Sequence, residues 1–120
     1  MTIYQFSLYL LRYGVQRLLV EFKNKRLLKL YTEGRSSKYR FPRGVIEKFF
    51  MRIAQLEAAQ DIYDLWPTAS LHFEKLKRYM NRYSVRINES YRLEFDIQWQ
   101  NREKTVGKII IIEISKHYER

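Results

Sequence analysis

Ten consecutive residues, YRLEFDIQWQ (91–100), alternate between apolar and polar without a break, and few folds can use such a run. Tyr91, Leu93, Phe95, Ile97 and Trp99 fall on one side, and Arg92, Glu94, Asp96, Gln98 and Gln100 on the other. Only an extended strand with one covered face satisfies that period of two. The same pattern precedes it in YSVRI, where Val85 and Ile87 oppose Ser84 and Arg86. Asn88-Glu89-Ser90 between the two runs reads as a hairpin loop. After a turn over 101–107, KIIIIEI is a continuous apolar run suited to a central strand.

The first half of the chain follows a period near 3.6 instead. RLLVEF (17–22) reads as a strand or as the continuation of a preceding helix. Asn24 is placed to cap a short helix, KRLLKLYTEG, with Leu27, Leu28 and Tyr31 on one side and Gly34 as its stop. RSSKYRF is a basic loop ending at Pro42, which suits the first turn of a helix. That helix is expected from about Pro42 to Tyr63, with Ile46, Phe49, Phe50, Ile53, Leu56 and Tyr63 inward. Arg43, Glu47, Lys48, Arg52, Gln55 and Gln60 take its other side, and Phe49, Phe50 and Trp66 are read as core. Pro67 closes the region, and 64–73 forms a connection. Helices followed by an antiparallel sheet with one covered face make an α+β layer arrangement: N-terminal helices on a small, mainly antiparallel sheet.

Composition narrows the chemistry. In 120 residues there is no cysteine, which removes disulfide scaffolds and cysteine-ligated zinc or iron–sulfur sites. The length and the lack of a glycine-rich fingerprint exclude Rossmann and TIM-barrel enzymes. Hydrophobic residues at 46% supply a real core and exclude wholesale disorder. The opening stretch is interrupted by Gln5, Arg12, Gln16 and Arg17, so it lacks the continuous run of about 20 apolar residues that a membrane span requires. Leu8, Leu11, Val15, Leu18 and Leu19 recur at helical spacing, and packing on the domain or a partner is preferred to a membrane surface. The chain reads as cytoplasmic.

The formal charge of +10 is unevenly spread. Residues 23–52 carry ten basic and two acidic side chains, and residues 74–92 six basic and two acidic. Between them, residues 53–73 carry only Glu57, Asp61 and Asp64. If the two basic blocks meet in the fold, they form a positive face that attracts polyanions. The strand pattern adds a site to that face. Arg86 and Arg92 project opposite the core residues of adjacent strands, where two guanidiniums hold a phosphate with several charge-assisted hydrogen bonds. Lys75, Lys77, Arg78 and Arg82, in the approach to the first strand, extend it. The competing expectation is that these arginines pair with Glu94, Asp96 or Glu113 on the same face.

The chain finishes SKHYER, with His117 and Tyr118 directly after an apolar strand, either a proton-transfer pair or a frayed end. His72 lies in a connecting loop and reads as a surface or half-buried residue. Two histidines so far apart give no metal-ligand spacing, and Ser115 has no partner arrangement for covalent catalysis.

The order of these pieces resembles a known family. FKNKRLLKLYTEG, FPRGVIEKFFMRIAQLEAAQDIYDL, LHFEKLK followed by RYSVRINESYRLEF, and the closing IIEISKHYE are similar to the HigB-like branch of the RelE toxin superfamily, over roughly residues 20–119. The most specific part is LKRYMNRYSVRINESYRLEF, which resembles the family's Leu-Lys-Gly…Tyr-Ser-Ile-Arg-Val-Asn…Tyr-Arg-Ile-x-Phe stretch. The resemblance implies a RelE-like microbial RNase toxin fold over residues 20–120, with residues 1–19 as an N-terminal extension. It implies a ribosome-dependent mRNA endonuclease that inhibits translation. It also implies a helix-turn-helix, HigA-like antitoxin as partner, with DNA contacted only through the toxin–antitoxin complex.

Carried over by position, Arg86 matches the arginine of the Ser-Ile-Arg-Val strand and Arg92 that of the next strand. His117 matches the histidine closing the last strand, although the usual Asp-Tyr-His ending reads Ser115-Lys116-His117 here, followed by Tyr118. The family's mid-chain histidine falls nearest Glu74, two residues beyond His72, and the usual glycine after Leu-Lys is Arg78. The implied mechanism needs no metal and no cofactor. Arg86 and Arg92 neutralise the phosphate and His117 acts as general acid, assisted by Tyr118 or Lys116. Glu74 or Lys77 acts as base. Lys38, Arg40 and Arg43 of the first basic block are expected on ribosomal RNA. The alternative is a non-catalytic RNA-binding protein, or a degenerate toxin that chiefly binds its antitoxin.

Overall fold

A computed structural model describes residues 18–34 and 41–116. A five-stranded sheet runs in the order β1-β5-β4-β3-β2. Its strands are β1 (Leu19–Phe22), β2 (Glu74–Lys75), β3 (Arg82–Arg86), β4 (Tyr91–Trp99) and β5 (Gly107–Lys116). Helices α1 (Lys25–Glu33) and α2 (Arg43–Ala58) complete it, with short 3₁₀ turns at Ile62–Asp64 and Ala69–Leu71. Two helices packed with a mostly antiparallel sheet give the expected α+β class.

The alternation in β3 and β4 is realised as written. Val85 pairs with Leu93 and Tyr83 with Phe95 on the core side, while Ser84 faces Glu94 and Arg86 faces Arg92 on the other. The Asn88 carboxamide accepts from the backbone N–H groups of Ser90 and Tyr91 and shapes the hairpin. β5 lies inside the sheet, as its apolar run suggests, but its period is broken. Glu94 pairs with Glu113 and Phe95 with Ile111, so Ile112 is an extra residue, a β-bulge. The bulge keeps Ile109, Ile111 and Ile114 with the core although their spacing is not strictly even.

RLLVEF resolves as a strand rather than a helical continuation from Leu19 onward, and it pairs parallel to β5. Asn24 then serves both elements. Its Oδ1 accepts from the N–H groups of Arg26 and Leu27, capping α1, while its Nδ2 donates to the Ile112 carbonyl at the bulge. Gly34 ends the helix with φ of 76°, a left-handed cap that suits glycine. The buried face of α1 is Leu27 and Leu30; Leu28, expected inward, is exposed. Tyr31 stacks on Phe22, meets Phe49 and Phe50 of α2, and donates to Glu57.

α2 is shorter than its periodicity suggests. Ala59 is extended, Asp61 accepts from the Tyr63 N–H, and Asp64 accepts from the Gln60 N–H, so side chains take over the bonds a helix would have used. With the helix stopped, Tyr63 and Trp66 lose the inward phase: both are exposed, and the core reading of Trp66 is corrected. Val45, Phe49, Ile53 and Leu56 form the buried stripe, whereas Ile46 and Phe50 sit at its edge. Arg52, assigned to the polar side, is buried at 4% relative exposure.

Two measurements check this packing. A Cβ added to Gly107 would collide with the Gln98 carbonyl across the β4–β5 ladder, with backbone on both sides of the clash. G107A is therefore expected to lower the urea-unfolding free energy by about 1–3 kcal/mol. Burial, then the charge and hydrogen bond of Glu57, hold the Tyr31 phenol above its ordinary pKa. The folded state thus favours the protonated phenol, giving stability that is complete below about pH 10 and lost as pH rises through the raised folded value. Y31F should flatten that alkaline decline in thermal melts.

Candidate active site

The cross-strand register sets Arg86 of β3 directly opposite Arg92 of β4. The face they share is less open than the alternation implies: Ser84, Arg92 and Glu94 on it are all buried. Arg92 donates from Nε to Ser84 Oγ at 2.8 Å and from Nη2 to the His72 carbonyl at 2.6 Å. The Glu74 carboxylate lies 3.5 Å from Nη2. Burial lowers the Arg92 pKa and Arg86 adds to this, while Glu74 and Glu94 work against it. Arg86 is the more accessible partner. Its Nη1 is 3.4 Å from His72 Nε2, and its Nη2 is 3.9 Å from the exposed Glu89 carboxylate.

His72 connects the two arginines. With φ of 42° and ψ of 51° its backbone is left-handed, so its carbonyl meets Arg92 while its ring lies beside Arg86. Sequence reading treated it as a loop residue. The family comparison placed Glu74 nearest the mid-chain histidine, and both residues in fact flank the arginine pair. β2, only two residues long, holds Glu74 there by pairing it with Ser84.

The other candidates separate in space. Arg82 is the first residue of β3 rather than part of the entering loop. Its Nε binds Asp96 at 2.6 Å and its Nη1 binds Glu94 at 3.3 Å, with Tyr79 under the guanidinium. Burial opposes its charge, but the two carboxylates outweigh that and raise its pKa. Arg82 thus satisfies the same-face pairing expectation instead of extending the phosphate site. Lys77 and Arg78 are exposed in the β2–β3 turn, at the end of β3 remote from Arg86. The structure therefore does not bring Lys77 to the arginine pair as a base. Lys75 is exposed on the edge strand opposite Tyr83. Arg43 begins α2 and pairs with Glu47. Lys116 closes β5 opposite Tyr91, one residue after Ser115 pairs with Arg92. His117, Tyr118, Lys38 and Arg40 lie outside the described residues.

A cleft of about 280 Å³ opens beside Arg86, lined by Lys48, Arg52, Ser70, His72, Ile87, Asn88 and Glu89. Lys48 and Arg52 come from the first basic block and Arg86 from the second, so the two blocks do meet. The sequence reading missed the pair, although Lys48 and Arg52 stand one turn apart on α2 and Arg52 directly precedes the buried Ile53. Among the described residues, no group of three or more His, Asp or Glu side chains is placed to hold a metal, and no helix is long and apolar enough to cross a membrane.

Two helices with a mostly antiparallel five-stranded sheet, and an arginine pair on that sheet, are compatible with a RelE-like toxin. The family model for the RelE-like toxin of the type II toxin–antitoxin system HigB matches residues 20–110, and the chain belongs to that family. Comparison with curated proteins finds no match. Membership in a type II system implies an antitoxin partner.

The geometry separates Arg82, neutralised by two carboxylates, from Arg86, which faces the cleft. R82A leaves Asp96 and Glu94 without their cation and should cost about 1–3 kcal/mol in urea unfolding. R86A, whose side chain faces the cleft, should change stability by less than about 1 kcal/mol.

Proposed function

We propose that the protein is a ribosome-dependent mRNA endonuclease that arrests translation. The observation carrying this reading is the cross-strand Arg86–Arg92 pair, flanked by His72 and Glu74 and opening on a basic cleft. Cleavage through the 2′-hydroxyl needs that hydroxyl deprotonated, the charge growing on the phosphoryl oxygens neutralised, and the departing 5′-oxygen protonated. Arg86 presents its guanidinium to the phosphate. Arg92, oriented by Ser84 and the His72 carbonyl, adds a second positive charge directly behind it.

His72 and Glu74 flank the arginines and supply the proton acceptor, a role Lys77 is too remote to fill. His117 donates the proton to the leaving oxygen, with Tyr118 and Lys116 assisting. This assignment draws on the family ending, and it is supported by the pairing of Ser115 with Arg92, which sets the end of β5 beside the arginine pair. The products are a 2′,3′-cyclic phosphate and a 5′-hydroxyl. The partners are the translating ribosome, its mRNA and a HigA-like antitoxin, and the setting is the cytoplasm.

Ribosomes translating a defined message, followed by mapping of new 5′ ends, test the reading. Wild-type protein should cut within translated codons, and R86A, R92A and H117A should each slow cutting by at least about a hundredfold and relieve growth arrest. Ribosome binding without new ends would favour a non-catalytic module. Full toxicity in all three variants would remove the site assignment.

A further inference from the structure

The guanidiniums on and beside this sheet are not equally compensated. Arg82 has Asp96 and Glu94, and Arg92 has Glu74. Among the described residues, no carboxylate pairs with Arg52. It is more buried than either, yet every acceptor it finds is neutral: Nε donates to the Arg86 carbonyl at 2.6 Å, Nη1 to Gln55 Oε1 at 2.8 Å and Nη2 to the Ser70 carbonyl at 3.3 Å. A guanidinium carries five N–H donors, so these bonds leave two uncommitted. Burial depresses its pKa, and the positive charge of Arg86 adds to this. Lys48 stands one helical turn away on the same cleft, and no ion pair engages it among the described residues. Three cations therefore share a cleft in which, among the described residues, the only carboxylate is that of Glu89, 86% exposed and 3.9 Å from Arg86.

Burying an uncompensated charge is costly, and a fold tolerates it where an anion completes the arrangement. The cleft also bears neutral donors suited to phosphate oxygens, in Ser70 and Asn88. We infer that the cleft between α2 and the β3–β4 hairpin is a phosphodiester subsite, in which Lys48 and Arg52 hold the RNA phosphate next to the one at Arg86 and Arg92. The inference rests on the RNA-cleaving reading for the identity of the anion. It gives α2 a direct role on the substrate strand, beyond the ribosome grip suggested by the charge map. Arg52 also ties α2 to the Ser70 and Arg86 backbones, so the subsite and the arginine pair are held in one frame.

A 2′-O-methylated single-stranded RNA oligonucleotide tests this without cutting, by anisotropy titration of the full chain at several salt concentrations. Lys48 is exposed, so K48A should fold as wild type does. It is expected to bind several-fold more weakly, with a salt slope shallower by about 0.7, the loss of one single-strand phosphate contact. R52Q should show the same change, and K48A remains decisive if R52Q does not fold. Unchanged affinity and slope in K48A would overturn the subsite, as would loss of antitoxin binding in place of RNA binding, since the anion would then be a protein carboxylate. A protein that cuts no programmed ribosome yet shows the K48A change keeps the subsite and loses the nuclease reading. A protein that cuts normally without that change loses the subsite alone. A single methylphosphonate beside the cut in a programmed message should abolish the K48A difference. If the difference persists at every position, the phosphate belongs to ribosomal RNA and not to the substrate strand.

Discussion

The pairing of Val85 with Leu93 fixes more of this molecule than any other contact, because it decides two things with one register. On the core side it aligns Tyr83 with Phe95 and lets Phe73 stack on both rings. On the other side it sets Arg86 against Arg92. A slip of one residue would turn every one of these side chains to the wrong face, so the hydrophobic core and the arginine pair stand or fall together. The site needs no fold-independent device to bring two like charges side by side. The burial of Val85 and Leu93, both fully enclosed, holds them there.

Two like charges held by a core still require electrostatic management, and the neighbours divide that task. Arg92 is enclosed but answered by Glu74 and by the His72 carbonyl. Arg82, four pairs along the same strands, is neutralised by Asp96 and Glu94 and plays a structural part. Arg86 is left facing the cleft beside the His72 ring, and among the described residues its one carboxylate is the distant, exposed Glu89. The result is a graded face, compensated at the Arg82 end and increasingly electropositive toward the hairpin, and a polyanion entering from that end meets unsatisfied donors first.

How much of this was legible depends on whether the signal was local. The strand alternation, the Asn24 cap and the Gly34 stop are each set by a few adjacent residues, and all were readable. The arginine pair followed from the alternation alone. Arg52 was misread because charge outweighed position: the stripe of Val45, Phe49, Ile53 and Leu56 runs past it, and burial there needs the Ser70 and Arg86 carbonyls, which are distant in sequence. Tyr63 and Trp66 were misplaced because the helix stops at Ala58, where Asp61 and Asp64 compete for backbone donors. β2 is too short to carry a period, and His72 gained its place from a left-handed backbone that no neighbouring residue announced.

The sheet is closed on one side by β1 lying parallel to β5, with partners eighty-nine residues apart in the chain. Contacts so distant give no reward until nearly the whole segment between them exists and has been ordered. On a ribosome, β1 emerges first and must wait with its apolar residues unpartnered until β5 follows. The Asn24 carboxamide, which needs the Ile112 carbonyl, waits with it. A nascent chain of this protein therefore carries β1 unpaired while β3 and β4 are made, and the sheet that frames Arg86 and Arg92 closes only when the final strand arrives.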